Sequence, residues 1–510
     1  MKSICILLCL GIQAWATDLV ELPLPKSNEI TVKYMFKVGS VDDPKGKEGL
    51  ANLTASVVFD GGTQKLSKTE LDNLLYPMAA GVNLSVGKEA IVVTANVHKD
   101  HLEKFYNNVS GLLYAPRFDQ SDFDRIKKST LKYITEDVVN NNDEVLSKRV
   151  LDTQLFANHP YGHLIEGSAA AVEGLTLDDV KAFYKKYFTQ ANLMVGMAGG
   201  YDAGFKKTVM EDTKKLPNGE NLRKEISDPP MPEGTRVAIV SKPNTFGSAI
   251  FMGYPLSVDR SSDDFAALMV ANSYLGEHRK SYGQLYSKMR SERSLNYGDY
   301  SYIEWYPAGH ATQLPLSGYP RSTNYFSIWI RPVQIAKQFA GMEGLEQPEL
   351  GNAHFVIRQS LREFHKLIEN GMTQEDFNRT RNFLIGYMKL YVQSQSSRLG
   401  FLMDSRSYGR KDYINDMIAL LKKLELKDVN DAIAKYFQYK NIYVAVITDT
   451  SEAEKLAESI RTNASASIVY SPLVGKGLGK DTLDEDKLID SFKLNITDVQ
   501  VIPSGKLFQK

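Results

Sequence analysis

The chain has 510 residues and no net charge, because 61 basic side chains balance 61 acidic ones. This balance gives no indication of a nucleic-acid partner or of an anionic membrane as a partner. Hydrophobic residues at 43% and charged residues at 24% are typical of a globular protein, and the length allows two or three domains. Beyond the first 16 residues, no apolar run is long enough to cross a bilayer.

Residues 1–16 have the pattern of a secretory signal. Lys2 provides the positive start, Ile4–Ile12 the apolar run, and Ala14-Trp15-Ala16 the cleavage site. The alternative is a buried N-terminal helix, which the cleavage tripeptide disfavours. We therefore predict an exported protein, periplasmic or extracellular. Both cysteines, Cys5 and Cys9, lie in this segment, so the mature chain is expected to have no disulfide.

Helix and strand signals interleave along the rest of the chain. Ser67 with Glu70 three residues later forms a capping box and predicts a helix over Ser67–Leu75. Apolar periodicity predicts two more helices, over Ser121–Glu136 and Thr373–Tyr391. Alternating patterns predict strands at Ile30–Val38, Ala90–Val97, Asn192–Ala198, Arg236–Ser241, Tyr325–Ile330 and Ile442–Ile447. The interleaving predicts an α+β fold in which each sheet is covered by helices.

An internal repeat indicates that one unit is used twice. Residues 119–133 (DQSDFDRIKKSTLKY) match residues 373–387 (TQEDFNRTRNFLIGY). Residues 175–192 match residues 424–441 in the same order along the chain. Two matching blocks in the same order predict two homologous domains, since the period is far too long for a solenoid.

A segment rich in proline separates the two repeats. Asp228–Gly234 reads DPPMPEG, which continues neither a helix nor a central strand. We therefore predict an N-terminal domain over 17–227, a linker over 228–234 and a C-terminal domain over 235–460. Residues 461–510 have no counterpart in the first repeat and are predicted to form a C-terminal extension.

Several short motifs lie in the first repeat. They are Gly39-Ser40 with Asp43-Pro44, GLANLTASVVFDGGT (49–63), HPYGHLIEGS (159–168), LTLDDVKAFYKKYF (175–188) and MAGGY (197–201). On these motifs the chain resembles the pitrilysin/insulinase-type zinc metallopeptidases, the inverzincins, and within them the shorter bacterial relatives of mitochondrial processing peptidase. The resemblance runs from about Ile30 to Phe508. It implies two homologous domains arranged as a clam shell.

The family's metal-binding residues are missing from the matching positions. The family frame reads roughly G-L-A-H-x-x-E-H, but here Asn52 and Ser56 replace the two histidines and Ala55 replaces the catalytic glutamate. The family's spacing puts Tyr133 at the position of the third ligand, a glutamate. The chain is therefore expected to bind no zinc, and Asn52 and Ser56 are expected to hydrogen-bond within their own helix.

Two histidine pairs offer a different route to a metal site. His98 and His101 are separated by two residues, and His159 and His163 by three. A relocated zinc site is one reading, and surface or loop histidines are the other. We favour the second because no nearby carboxylate completes either pair.

The second repeat retains a different feature of the family. In KMRSERSLNYGDY (288–300), Arg290 and Tyr297 match an arginine and a tyrosine that hold the substrate carbonyl and stabilise the developing oxyanion in relatives. The alternative is a solvated arginine and a tyrosine packed at a sheet edge. Arg293 is a lower-ranked candidate for the arginine. Glu277-His278-Arg279 are further candidates for the same cavity.

The resemblance implies a divided active site. We predict the non-metal subunit of a heterodimeric zinc peptidase that acts on short or unfolded peptides. Zinc and its ligands would come from a partner subunit with an intact H-x-x-E-H motif, and Arg290 and Tyr297 would act in trans. One alternative is an inactive scaffold or peptide-binding member of the same family. Another is an autonomous peptidase with an unusual site.

Overall fold

The computed structural model describes residues 17–222, 225–277, 280–306 and 316–509. The predicted signal at 1–16, with both cysteines, lies outside the described residues, as do His278 and Arg279. None of the helices in the described ranges is long and apolar enough to cross a membrane.

Two sheets organise the chain. The first contains β1 (Asp18–Pro23), β2 (Glu29–Phe36), β3 (Gly81–Val86), β4 (Ile91–His98) and β5 (Leu193–Gly199), in the order β1-β5-β2-β4-β3. The second contains β6 (Thr235–Lys242), β7 (Ser248–Leu256), β8 (Asp299–Tyr302), β9 (Asn324–Val333), β10 (Ile442–Asp449) and β11 (Ile496–Pro503), in the order β11-β6-β10-β7-β9-β8. Without β11, the two strand orders are the same. The predicted duplication is therefore confirmed.

Helices cover both sheets. The first half has α1 (Leu50–Asp60), α2 (Lys68–Leu75), α3 (Leu102–Tyr114), α4 (Gln120–Lys132), α5 (Asp143–Leu155), α6 (Ala169–Gly174), α7 (Leu177–Tyr187) and α8 (Ala203–Thr213). The second half has α9 (Asp264–Gly276), α10 (Ala353–Asn370), α11 (Gln374–Tyr387), α12 (Gln395–Ser407), α13 (Tyr413–Lys423), α14 (Leu426–Tyr436) and α15 (Ala453–Arg461). Two helices follow, α16 (Pro472–Gly475) and α17 (Lys480–Asp490). The predicted α+β fold, with two homologous domains in a clam-shell arrangement, is confirmed.

The repeated blocks adopt the same structures in both halves. The blocks at 119–133 and 373–387 form α4 and α11. Each of these helices continues directly into a short helix of another type. After α4 the chain continues as a π-helix over Tyr133–Asn141, so the helix predicted to Glu136 changes type at Tyr133. After α11 it continues as a 3₁₀ helix over Met388–Val392.

The two halves interlock. Helix α5 of the first half packs on β7 and β10 of the second sheet, and α12 of the second half packs on β5 and β1 of the first. The C-terminal segment adds a third connection. Its strand β11 pairs in parallel with β6, and the carbonyls of Phe508 and Gln509 accept hydrogen bonds from the backbone of Ala169 and Ala170 at 3.0 and 3.2 Å.

Candidate functional site

A polar cleft runs along the outer edge of the first sheet. Its volume is about 710 Å³, and it lies between β3 and the helices α1 and α2. Every residue of β3 lines it. Asn52 and Ser56 of α1, together with Ile165, Glu166 and Tyr319, line it as well. The cleft therefore joins an edge strand to the two positions where the family carries histidine ligands.

The family motifs hold α1 in place beside this cleft. The Asp43 carboxylate accepts hydrogen bonds from the backbone N–H groups of Gly49 and Ala51 at 2.8 and 2.7 Å, which caps the start of the helix. His163 lies 3.2 Å from the same carboxylate. Gly49 has a φ of 97°, and a side chain there would overlap the backbone of Glu166. The frame of a metal-binding helix is thus intact although its ligands are absent.

The replaced positions on α1 divide into two kinds. Ala55 is fully buried in the core and faces away from the cleft residues. Asn52 and Ser56 are partly exposed and line the cleft, as expected for residues four apart on one helix face. Neither side chain hydrogen-bonds to another described residue. The expectation that they hydrogen-bond within their own helix was wrong, because that face of α1 is turned to the open cleft.

Tyr133 lies at the junction of α4 and the π-helix, beside a buried arginine. Arg149 reaches Glu166 at 3.2 Å, and Glu166 lines the cleft. Burial alone would lower the pKa of Arg149, but the charge of Glu166 and the hydroxyl of Tyr133 raise it above its ordinary value. A permanent cation therefore stands next to the position of the family's third ligand.

The described residues bring together no group of three His, Cys, Asp or Glu side chains that could hold a metal. His98 caps a short 3₁₀ turn at the surface. The His159 ring lies 2.7 Å from the carbonyl of Ser227, in the loop where His163 contacts Asp43. His98, His159 and His163 thus have local partners, and no third metal-ligating side chain joins either pair in the described part of the chain.

The backbone of β3 is open on the cleft side. In the hairpin between β3 and β4, the Gly87 N–H donates to the Ala90 carbonyl at 2.8 Å. This bond sets the register, so Gly81, Asn83 and Ser85 are the residues of β3 that bond to β4. Because residues that bond to the neighbouring strand alternate with residues that do not in an antiparallel pair, the N–H and C=O groups of Val82, Leu84 and Val86 point away from β4. No other described residue hydrogen-bonds to them. Sequence reasoning missed β3, although the alternation in GVNLSV was a signal for it.

Arg290 and Tyr297 lie together in the second half. The Arg290 guanidinium donates to the Tyr297 carbonyl at 2.9 Å and lies 4.5 Å from the centre of the Tyr297 ring. The Tyr297 side chain is 55% exposed. Asp299 is buried nearby, and this burial raises its pKa to about 7, although a hydrogen bond from Asn296 and the charge of Arg290 both act to lower it. The pair is not among the residues that line the cleft along β3.

The other candidates in the second half are buried. Arg293 is 1% exposed and pairs with Glu485 at 3.0 Å and Asp486 at 2.7 Å, so it holds α17 in place. Glu277 is also buried and accepts a hydrogen bond from the Ser273 hydroxyl at 2.8 Å. Arg293 lines a separate cleft of about 410 Å³, but its guanidinium is already paired with the Glu485 and Asp486 carboxylates.

Comparison with known proteins agrees with this geometry. A family model described as "Insulinase (Peptidase family M16)" matches residues 23–168, and one described as "Peptidase M16 inactive domain" matches residues 174–384. The non-peptidase homolog YmxG of Helicobacter pylori is 24% identical over 82% of this chain and 88% of its own length. The zinc protease PqqE of the same organism is 24% identical over 52% of this chain and 60% of its own length.

A solved structure has the same fold. The peptidase M16 inactive domain from Pseudomonas fluorescens has a TM-score of 0.71 and 19% identity, and the match covers 85% of this chain and 95% of that one. The two family models match consecutive parts of the chain and leave only a short gap between them. The chain belongs to the insulinase family, peptidase family M16, as a member without the family's zinc-binding residues.

Proposed function

We propose that this protein binds an extended peptide along β3, and that it does so as the non-metal subunit of a two-chain zinc peptidase. The open edge of β3 carries the first part of this proposal. A strand added there would pair with the outward groups of Val82, Leu84 and Val86, which are unpaired among the described residues. Six residues of strand span about 20 Å, the length of a short unfolded segment.

A proline in β3 tests strand addition directly. Leu84→Pro removes one outward N–H and leaves the hydrogen bonds to β4 intact, which is where an edge strand tolerates proline. We expect binding of a fluorescent unstructured peptide to weaken more than tenfold. Leu84→Val keeps the N–H and should bind within about twofold of wild type. A folded Leu84→Pro protein that binds like wild type would exclude strand addition.

The second part of the proposal concerns Arg290 and Tyr297. They are held as a pair, Tyr297 is half exposed, and neither lines the chain's own cleft. A guanidinium and a phenol are donors suited to charge that develops on a peptide carbonyl. With no metal ligands in this chain at positions 52, 56 and 133, a catalytic role for these donors requires a zinc site on another chain. That this chain resembles both a named zinc protease and a named non-peptidase homolog of one organism supports such a pairing.

Activity of mixed subunits tests this part. Hydrolysis of quenched peptides and zinc content are measured for the mature chain alone and mixed with the H-x-x-E-H family member of the same genome. We expect activity in the mixture only, and a loss of a hundredfold or more in kcat with Arg290→Ala. Tyr297→Phe should lose activity as well, while Arg461→Ala, a change of an exposed arginine in α15, should not.

Peptide binding without any catalytic role is the second candidate function, because the cleft along β3 needs no second chain. It is favoured if the mixture stays inactive, Arg290→Ala changes nothing, and Leu84→Pro still abolishes binding. Chelator-sensitive hydrolysis by the pure chain would overturn both candidates and support an autonomous peptidase.

Export is part of the same proposal and rests on the signal pattern at 1–16. We expect the protein in the exported fraction to begin at about Thr17, which intact-mass measurement will report. Full-length protein confined to the interior of the cell would contradict it.

A further inference from the structure

Helix α1 forms the wall of the cleft opposite β3, and its lining residues are three or four positions apart along one face. Asn52, Ser56, Phe59 and Asp60 of α1 all line the cleft, so it follows α1 for about two turns. Helix α1 also contacts β3 directly. A strand that pairs with β3 would therefore lie alongside α1, with every second side chain turned to the helix.

The spacing of the helix matches that of such a strand. Residues four apart on a helix are about 6 Å apart, and alternate residues of a strand are about 6.6 Å apart. Asn52 and Ser56 would then meet two alternate side chains of the bound strand. Phe59, one turn further on, would meet the next side chain on that face.

The chemistry of this face selects among side chains. The side chains of Asn52 and Ser56 have no hydrogen-bond partner among the described residues, so an apolar side chain against them would leave both groups desolvated and unpaired. The charged side chains of the cleft pair with one another or with Arg149, although one Glu166 oxygen, Oε2, has no partner among the described residues. Lys68 pairs with Asp72 at 2.6 Å and Asp60 at 3.7 Å, and Glu166 pairs with Arg149. An acidic side chain from the peptide would find no free counter-charge, and neither Asn52 nor Ser56 offers a charge to a basic one.

We infer that Asn52 and Ser56 select peptides with neutral hydrogen-bonding side chains, Ser, Thr, Asn or Gln, at two alternate positions, followed on the same face by an apolar side chain at Phe59. This inference rests on the proposed binding along β3. The former metal-ligand positions thereby become a side-chain selection site for an extended peptide.

Isosteric peptide pairs test the inference. A host peptide carries Thr, Val, Asn or Asp at two alternate positions, in both possible registers, and binding is measured by fluorescence anisotropy. We expect wild type to prefer Thr over Val and Asn over Asp by roughly tenfold in one register. The double variant Asn52→Leu with Ser56→Ala should reverse the Thr/Val preference. Asn107→Leu, a change of an exposed asparagine on α3, should leave it unchanged.

The outcomes separate this inference from the proposed function. Leu84→Pro could weaken binding while wild type binds the Thr and Val peptides, and the Asn and Asp peptides, equally well. In that case the inference that Asn52 and Ser56 select side chains is wrong, and strand addition stands. A double variant that keeps the wild-type preference also overturns the selection. If wild type binds none of the peptides, both ideas fail.

Discussion

The two halves share one strand order but differ where a helix meets the edge strand. In the first half, α1 contacts β3 and yet leaves an open cleft beside it, with Asn52, Ser56 and Asp60 not buried. In the second half, α9 lies directly against β8, and all its residues except Asp264 and Tyr274 are buried. Duplication therefore preserved the scaffold, while the cleft along an edge strand is found in the first half of the described chain.

Side chains close the second half at this place. Asn272 donates to the Ser301 carbonyl at 3.0 Å, and the Ser301 hydroxyl donates to the Asn272 carbonyl at 3.0 Å. A side chain at Gly276 would overlap the backbone nitrogen of Ser301. These contacts tie α9 to β8, whereas no side-chain hydrogen bond joins α1 to β3 among the described residues.

The largest effect is expected at the closed contact. Gly276→Ala should lower the free energy of unfolding by about 3 kcal/mol, since the added methyl group meets backbone that cannot move aside. The first-half change Ser56→Val adds bulk into the open cleft and should cost less than about 1 kcal/mol. Urea denaturation of both variants measures the difference. Equal costs would mean that the two halves are equally packed there.

The next largest effect on stability is expected from a comparison of two asparagines, Asn272 in α9 and Asn52 in α1. Asn272→Leu removes a buried hydrogen bond and leaves the Ser301 carbonyl without that donor, so it should cost about 2 kcal/mol. Asn52→Leu changes a partly exposed side chain and should stay within about 0.5 kcal/mol of wild type. Thermal unfolding of the two variants provides the measurement. A large cost for Asn52→Leu would indicate a structural role for Asn52 in α1.

The smallest effect concerns α17, the C-terminal helix that packs on the second half. Burial acts to raise the pKa of Glu485 in α17, but hydrogen bonds from Lys366, Arg362 and Arg293 outweigh it and hold the pKa well below the ordinary 4.5. A carboxyl pKa that is lowered on folding adds stability above the unfolded value and loses it as pH falls. Glu485→Gln should therefore cost about 1.5 kcal/mol at pH 7.

The pH dependence is the decisive part of that prediction. The stability difference between wild type and Glu485→Gln should shrink as pH falls below about 4.5, where the unfolded carboxyl takes up its proton. Urea titrations at pH 7, 5, 4 and 3 follow it. A difference that does not change with pH would mean that Glu485 acts through packing and not through its charge.

Sequence reasoning located most of the elements that carry strong local signals. The capping box at Ser67 and Glu70 is formed in the structure, and the six predicted strands are β2, β4, β5, β6, β9 and β10. The strands it missed are β1, β3, β7, β8 and β11. Of these, β3 and β8 are short edge strands, and β11 belongs to a sheet only through its pairing with β6, far away in the sequence. Local patterns do not record such distant pairings.

The candidate site shows the same division. The absence of zinc ligands at Asn52 and Ser56, and of the catalytic glutamate at Ala55, is evident from residue identity, because metal chemistry requires particular side chains. The pairing of Arg293 with Glu485 and Asp486 was not evident, since nearly 200 residues separate the partners. Local spacing alone could not tell Arg293 in the core from Arg290 at the surface.

The sequence by itself determined the duplicated α+β architecture, the family and the missing metal ligands, because each follows from local patterns or from the identity of single residues. Only the tertiary structure decided that a cleft opens between α1 and β3 while side chains tie α9 to β8, that Asn52 and Ser56 face this cleft, and that the C-terminal segment joins the second sheet. These features depend on how side chains distant in the chain fill the space between elements.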